Sequence, residues 1–375
     1  MAAGKPRDLM ATIMDGGIPS RIPYSLPAPR AFWDELAEEL GRPPGEVYHL
    51  DNGDRRLNPG ARGKPPWDNS FDNPPDNDEE EEFLRERFAR YLPAEKIPGL
   101  RVSEYGSITV PGSSFHLRRM IYPLRDATDL REVDEFPWPD ITEEWRWEAL
   151  EAEVKSLLDQ GYWVVGGVGS LFEPAWYLRS QEQLLMDTYL NPEFAAYLLD
   201  RMAQDLEYKA VRLAKLGVDA VGCGDDMGHE RQLFMRPDQL YEWILSRWER
   251  ILGAAKAIKP DLKVDFHTDG CSEEMVPDLM ALGVTAINPV QPECDDPEHL
   301  KQTFGSKLVL KGTLSSWVLT FGSPQQVKAE IKIRMETGKR WGGVVITPNN
   351  QPDTNTTHAN FRAFLDACEE YGRVD

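Results

Sequence analysis

From residue 162 onward, one unit repeats along the sequence. A short apolar run ends in glycine or a polar residue, and a stretch with helical spacing follows. The runs are YWVVGGVGS (162–170), DAVGCGDDMG (219–228), LKVDFHTDG (262–270), TAINPVQP (285–292), KLVLKGTLS (307–315) and GGVVITPNN (342–350). The intervening stretches carry helix boundaries. Asn191 precedes Pro192, Gly217 closes that helix, and Ser323 followed by Pro324 starts another. Strands alternating with helices imply βαβ units and a parallel sheet. RIPYSL (21–26) supplies a first strand and VYHLD (47–51) a second, making eight with the six later ones. Eight units in 375 residues favour a (β/α)8 TIM barrel over an open sheet. No GxGxxG follows the first strand, which argues against a dinucleotide-binding open sheet.

The stretch 52–140 breaks the rhythm. NPPDNDEEEEFLRERF (73–88) reads as a solvated loop and helix, and RVSEYGSITVPGSSFHLRRMIYPL (101–124) alternates like a β-hairpin around Pro-Gly. The expected organisation is a single domain over 1–375, with 52–140 inserted near the barrel mouth.

Charge limits the partners. A formal net charge of −21 disfavours nucleic acid and anionic membranes, and disfavours a polyanionic substrate unless a local basic pocket exists. No apolar window approaches the length of a membrane span, and the N-terminus lacks a secretory h-region. The four cysteines have no CxxC spacing. These features give the expectation of a cytoplasmic protein without a disulfide framework.

In a parallel barrel the reactive groups come from the C-terminal strand ends and the loops after them. That rule selects Glu173 with the aromatic residues Phe172 and Trp176, then Asp225, Asp226 and His229, then His267, Asp269 and Cys271. Gln291, Glu293 and Cys294 follow, then Lys311 and Thr313, then Asn349 and Asn350. Phe172, Trp176 and Trp317 are the expected apolar walls. Each polar residue also has a structural reading. Asp225–Asp226 could cap a helix, Asp269–Gly270 could shape a turn, His229 could be a loop residue, and the cysteines could be small buried residues.

GVDAVGCGDDMG, FHTDG, LGVTAINPVQPECDDPEHLKQTFGSKLVLKGTLS, GSPQQVKAEI and GGVVITPNN together resemble the uroporphyrinogen decarboxylase superfamily. The closer resemblance is to its cobamide-linked methyltransferase-type branch. It runs over roughly 160–372 and includes SEYGSITVPG…HLRRMIYPL, whereas 52–100 match poorly. It implies a (β/α)8 barrel with the site at the C-terminal mouth. True decarboxylases of the superfamily carry an RQAGR-type motif, where this chain has SRIPYSLPAPRAFW with only Arg21 and Arg30. Asp225 falls where their FDS-type aspartate would lie, and their late histidine would fall near Asn349. The methyltransferase branch implies zinc held by an H-x-C motif and a distant cysteine. Here His267 matches the histidine, Asp269 stands at the next ligand position, and no cysteine lies near Asn349.

The resulting expectation is a methyltransferase or demethylase. It would move a methyl group from a small O- or N-methylated substrate to a corrinoid protein or a thiol. His267, Asp269 and Glu293 would hold zinc. Asp225, Asp226, His267, Gln291 and Asn349 would do catalytic or positioning work. Phe172, Glu173, Trp176, His229 and Arg30 would contact the substrate. Corrinoid would arrive only on a separate partner protein, and the chain could form a homodimer. The alternative is a metal-independent decarboxylase or lyase acting on a small carboxylic acid or porphyrinogen, with Arg21, Arg30 or Arg179 as the carboxylate clamp. A barrel that only binds a methylated ligand or a corrinoid partner ranks third.

Overall fold

The computed structural model describes residues 7–60, 78–95, 97–110, 112 and 119–374. Ten strands among these residues are numbered in chain order. They are β1 (Asp54–Leu57), β2 (Arg101–Val102), β3 (Ile108–Val110), β4 (Arg119–Ile121) and β5 (Trp163–Gly169), then β6 (Ala220–Gly224), β7 (Lys263–His267), β8 (Ala286–Asn288), β9 (Val309–Lys311) and β10 (Val344–Val345). Seven form one parallel sheet in the order β1-β5-β6-β7-β8-β9-β10. β5 and β6 are buried along almost their whole length, as strands covered on both faces must be.

An eighth stave completes the curl. Tyr24 bridges Ile346 in parallel, with Ser25 N–H donating to the Ile346 carbonyl and Ile346 N–H to the Pro23 carbonyl, both at 2.9 Å. Asn52 Nδ2 donates to the Tyr24 carbonyl at 2.9 Å and ties this stave to the chain entering β1. The fold is the (β/α)8 barrel expected from the alternation.

The second strand departs from expectation. It is Asp54–Leu57, not 47–51. Val47, Tyr48 and Leu50 pack outward beside the helix Arg30–Leu40. The sequence DRRL hides a strand because its inward positions are charged rather than apolar. The excursion from the barrel therefore begins after Leu57, later than the boundary at 52. It leaves from the C-terminal end of β1 and rejoins at the helix Trp145–Asp159. Within it, β2, β3 and β4 form a three-stranded antiparallel sheet, with Arg101 opposite Thr109 and Ile108 opposite Ile121. Most of the expected Pro-Gly turn, and residues 73–77 of the acidic stretch, lie outside the described residues.

The N-terminal helix Asp8–Met14 closes the other end. Met10, Ile13 and Met14 pack against the inward side chains Trp163, Val165, Ala220, Ala286, Val309 and Val345, so the barrel floor is sealed by apolar contact. Helix boundaries follow the sequence signals closely. Ser323 and Gln326 form a capping box before Pro324–Trp341, and Gly217 ends Pro192–Leu216 with φ +82°. Asn191 sits at its cap position without a side-chain cap hydrogen bond. No helix among the described residues is long and apolar enough to cross a membrane.

Candidate active site at the C-terminal mouth

The ends of β6 and β7 bring the polar residues together. Gly224 stands opposite His267 in the register. A Cβ at Gly224 would lie 2.1 Å from the His267 carbonyl oxygen, and φ there is +154°, so only glycine allows this approach. Asp225 N–H then donates to that same carbonyl at 2.9 Å. The chain turns, and Asp225 and Asp226 face opposite ways.

Asp225 points into the wall and is fully buried. Its Oδ1 accepts from the backbone N–H groups of Leu171, Phe172 and Glu173 at 2.8, 2.6 and 3.2 Å. Its Oδ2 accepts from the Trp248 indole N–H at 2.7 Å. Burial pushes the carboxyl up to about 7, against these four donors, which favour the anion. Asp225 therefore anchors the start of the helix Phe172–Arg179 and does not reach the mouth. The expected catalytic role for Asp225 is corrected to a structural one.

Asp226 points outward. Its Oδ1 lies 3.4 Å from His267 Nε2 and accepts from the Asp269 N–H at 3.0 Å. Donor atoms of Asp226, His267 and Asp269 all lie within 4.8 Å of one another. The His267 side chain is 47% exposed and that of Asp226 23%, so the cluster faces solvent at the mouth. Burial disfavours the Asp226 carboxylate, yet its bond to His267 holds its pKa below the ordinary value. Burial likewise works against the imidazolium, but Asp226, with Asp269 and Glu173, holds the His267 pKa above 6.5. Burial, reinforced by the Asp226 charge, raises that of Asp269.

Gln291 and Asn349 act on the loops. Gln291 Oε1 accepts from the Gly270 N–H at 2.6 Å and fixes the turn after Asp269, where Gly270 has φ +83°. Asn349 Nδ2 donates to Glu293 Oε2 at 2.7 Å, and Asn349 Oδ1 accepts from the Ser316 N–H at 2.9 Å. Glu293 also accepts from the Ser315 hydroxyl. Glu293, expected beside His267 and Asp269 as a metal ligand, is thus a loop tie outside their donor cluster, and the third member of that cluster is Asp226. Gln291, Glu293, Asn349 and Asp269 line a cavity of about 620 Å³ with His229 and Trp317.

The expected substrate contacts divide. His229 is exposed at the rim, 6.0 Å between ring centroids from Phe234, which in turn stacks edge-on with Trp176. Glu173 accepts from the Tyr177 hydroxyl and lies close enough to His267 to favour its charge. Phe172 is fully buried under Trp176 and is core rather than wall. Arg30 is 93% exposed on an outer helix and pairs with Asp34. Arg21 pairs with Glu369, and Arg179 is buried against Asp187. None of these three arginines serves the mouth. Two cations that do reach the barrel interior are Arg56 and Lys311. Lys311 was legible as a strand-end residue, and Arg56 was hidden with the unrecognised β1.

The mouth donors fit a metal ion of the kind the family resemblance implies. One imidazole nitrogen and two carboxylates make a three-ligand set of the catalytic type, open at the fourth position. The 3.4 Å separation of His267 Nε2 and Asp226 Oδ1 matches the edge of a tetrahedron with bonds of about 2.1 Å. The set is harder than a thiolate one.

A comparison with curated protein sequences finds no match. Among solved structures, a methyltransferase from Methanosarcina mazei superimposes with a TM-score of 0.61 at 17% identity, over 98% of this chain and 99% of that one. That likeness shows a shared fold over the full chain. Weaker likenesses include an α-amylase from Geobacillus thermoleovorans complexed with acarbose, with TM-score 0.36, 10% identity, and 60% and 61% of the two chains covered. D-psicose 3-epimerase with D-tagatose, from Clostridium cellulolyticum H10, has TM-score 0.34, 13% identity, and 60% and 93% covered. Neither of these carries a functional argument. The profile of the family described as Uroporphyrinogen decarboxylase (URO-D) matches residues 119–371, well over half of the sequence, and the chain belongs to that family.

Proposed function

We propose that this protein is a methyltransferase or demethylase that takes a methyl group from a small O- or N-methylated substrate. The acceptor is a thiol or a corrinoid carried by a separate protein. The observation that carries the reading is the convergence of Asp226, His267 and Asp269 on one solvent-facing point at the barrel mouth. The full-length likeness in fold to a methyltransferase is consistent with it.

These three residues would hold zinc or another divalent ion. When bound, the ion would supply Lewis acidity to the substrate heteroatom or hold an acceptor thiolate. Asp226 orients His267 through the 3.4 Å contact, and Gln291 fixes the turn that carries Asp269. Trp176 and Phe234 offer aromatic surface beside the rim. The Glu293–Asn349 bond holds the loops after β8 and β10 together on the far side.

The test is elemental analysis of purified wild type and His267→Ala after zinc-replete growth. Near-stoichiometric metal in the wild type, lost in the variant together with turnover, supports the reading. A metal-free wild type, or a variant that turns over at the wild-type rate, ends it.

A second reading is loss of carbon dioxide from a small carboxylic acid without a metal. It is favoured by the Asp226 carboxylate 3.4 Å from His267, which favours the protonated imidazole and so its use as a proton donor. Carbon dioxide release from a panel of acids, without methyl loss, would select it.

A further inference from the structure

Beneath the His267 cluster lies a second group of charges inside the barrel. Asp265, two residues before His267 on β7 and facing the same way, is only 4% exposed. Its Oδ2 accepts from Arg56 Nη2 at 2.9 Å and from Lys311 Nζ at 2.8 Å. Its Oδ1 is buried with no hydrogen-bond partner among the described residues. Arg56 comes from β1 and reaches β7 by crossing β6 at Gly222, where a Cβ would sit 2.9 Å from its Nη1. The absence of a side chain at Gly222 makes that crossing possible.

The Arg56 side chain is 41% exposed, although it points into the barrel. In a filled barrel such a layer is sealed. The floor here is closed by Met10, Ile13 and Met14. With the floor closed, the exposed part of the Arg56 guanidinium faces the mouth side of the barrel, one layer below His267, itself 47% exposed. Asp265 holds both cations in place. Two cations and one carboxylate leave one positive charge at this base. That balance suits a monoanion better than a doubly charged phosphate. The unpartnered Asp265 Oδ1 adds an acceptor that calls for a donor from water or ligand.

We propose that Arg56 and Lys311 form a subsite for the carboxylate of the substrate, which is thus a small monocarboxylic acid. Asp265 at this base and His267 are two positions apart on β7, a rise of about 7 Å. The acid's carboxylate and its reacting heteroatom are therefore separated by about the span of a para-disubstituted benzene, the ring together with the bonds to its two substituents. The identity of that heteroatom as a methylated one rests on the methyl-transfer reading, whereas the anion subsite does not.

The test is calorimetric titration of the purified full-length protein, with no metal, acceptor or turnover required. The probes are 4-methoxybenzoate, its neutral isostere 4-methoxybenzamide, and inorganic phosphate. The acid is expected to bind at least about tenfold more tightly than the amide, one favourable charge contact being worth about that factor. Arg56→Gln is expected to reduce this preference to within about twofold of parity, and Lys311→Gln, which leaves Arg56 on Asp265, to weaken it. Circular dichroism confirms the fold of each variant, and either folded variant suffices. Equal binding of acid and amide, no binding of the acid, tighter binding of phosphate, or an unchanged preference in the folded variants would overturn the subsite. Acid binding without any methyl transfer would keep the subsite and remove the methyl-transfer reading instead.

Discussion

Asp225 and Asp226 show how far adjacent residues can diverge. The sequence presents them as one acidic pair after a glycine. The turn at Gly224 sends Asp225 into a wall of four N–H donors and Asp226 to the mouth. Periodicity cannot separate them, because the deciding partners lie on the helix after β5 and on Trp248, remote in sequence. His267 and Asp269 were legible because strand-end position alone places them. Arg56 was not, because an arginine within a strand looks like loop chemistry until its buried acceptor Asp265 is known. Asp225→Ala leaves three backbone N–H groups and an indole N–H without their acceptor. The expected cost is about 2–4 kcal/mol, from a lost cap and unsatisfied buried donors. Urea denaturation measures it. An unchanged midpoint would return Asp225 to the list of candidate reactive groups.

Elements were easier to read than residues wherever apolar runs alternate with helices. All six strands after residue 162 stand where the sequence places them, and the Ser323 box starts its helix as expected. The failures have two causes. β1 carries charge inward, and the floor helix Asp8–Met14 is too short to announce itself by periodicity. A further element-level feature is the buried Lys301 on the helix Pro297–Phe304. Its Nζ donates to the Leu308 carbonyl at 2.7 Å, joining the helix to the start of β9. Burial pushes its pKa from 10.5 down to about 8. The unfolded chain therefore binds the proton more tightly than the folded one between these values, and stability contributed at this site rises with pH across that window. Compared with Lys301→Met, the wild type should gain about 2 kcal/mol between pH 7.5 and 9.5. Urea midpoints of both proteins at the two pH values give the difference. A constant difference would show that Lys301 keeps an ordinary pKa.

At the scale of the molecule, a sealed floor and an open mouth sort the charges. The overall acidity argued against an anionic substrate except at a local basic pocket, and the interior pair of cations is such a place. Composition reports the outer surface and is silent about one inward arginine. The excursion between β1 and the helix Trp145–Asp159 is attached to the barrel through another buried cation. Arg146 is 2% exposed; it pairs with Glu104 and donates to the carbonyls of Gly60 and Asp140 at 3.0 and 2.8 Å. One side chain at a helix start thus gathers both ends of the excursion and its small sheet. Breaking a buried pair by removing one partner costs about 3–5 kcal/mol, because the other charge stays buried. Arg146→Met should therefore destabilise the protein by about that amount and loosen the excursion before the barrel. Limited proteolysis should cut the variant first between residues 58 and 144, leaving a fragment that begins near the helix Trp145–Asp159 and contains β5 to β10. Cleavage at the wild-type sites and rate, with an unchanged melting temperature, would show that the excursion is held by its apolar contacts with the barrel instead.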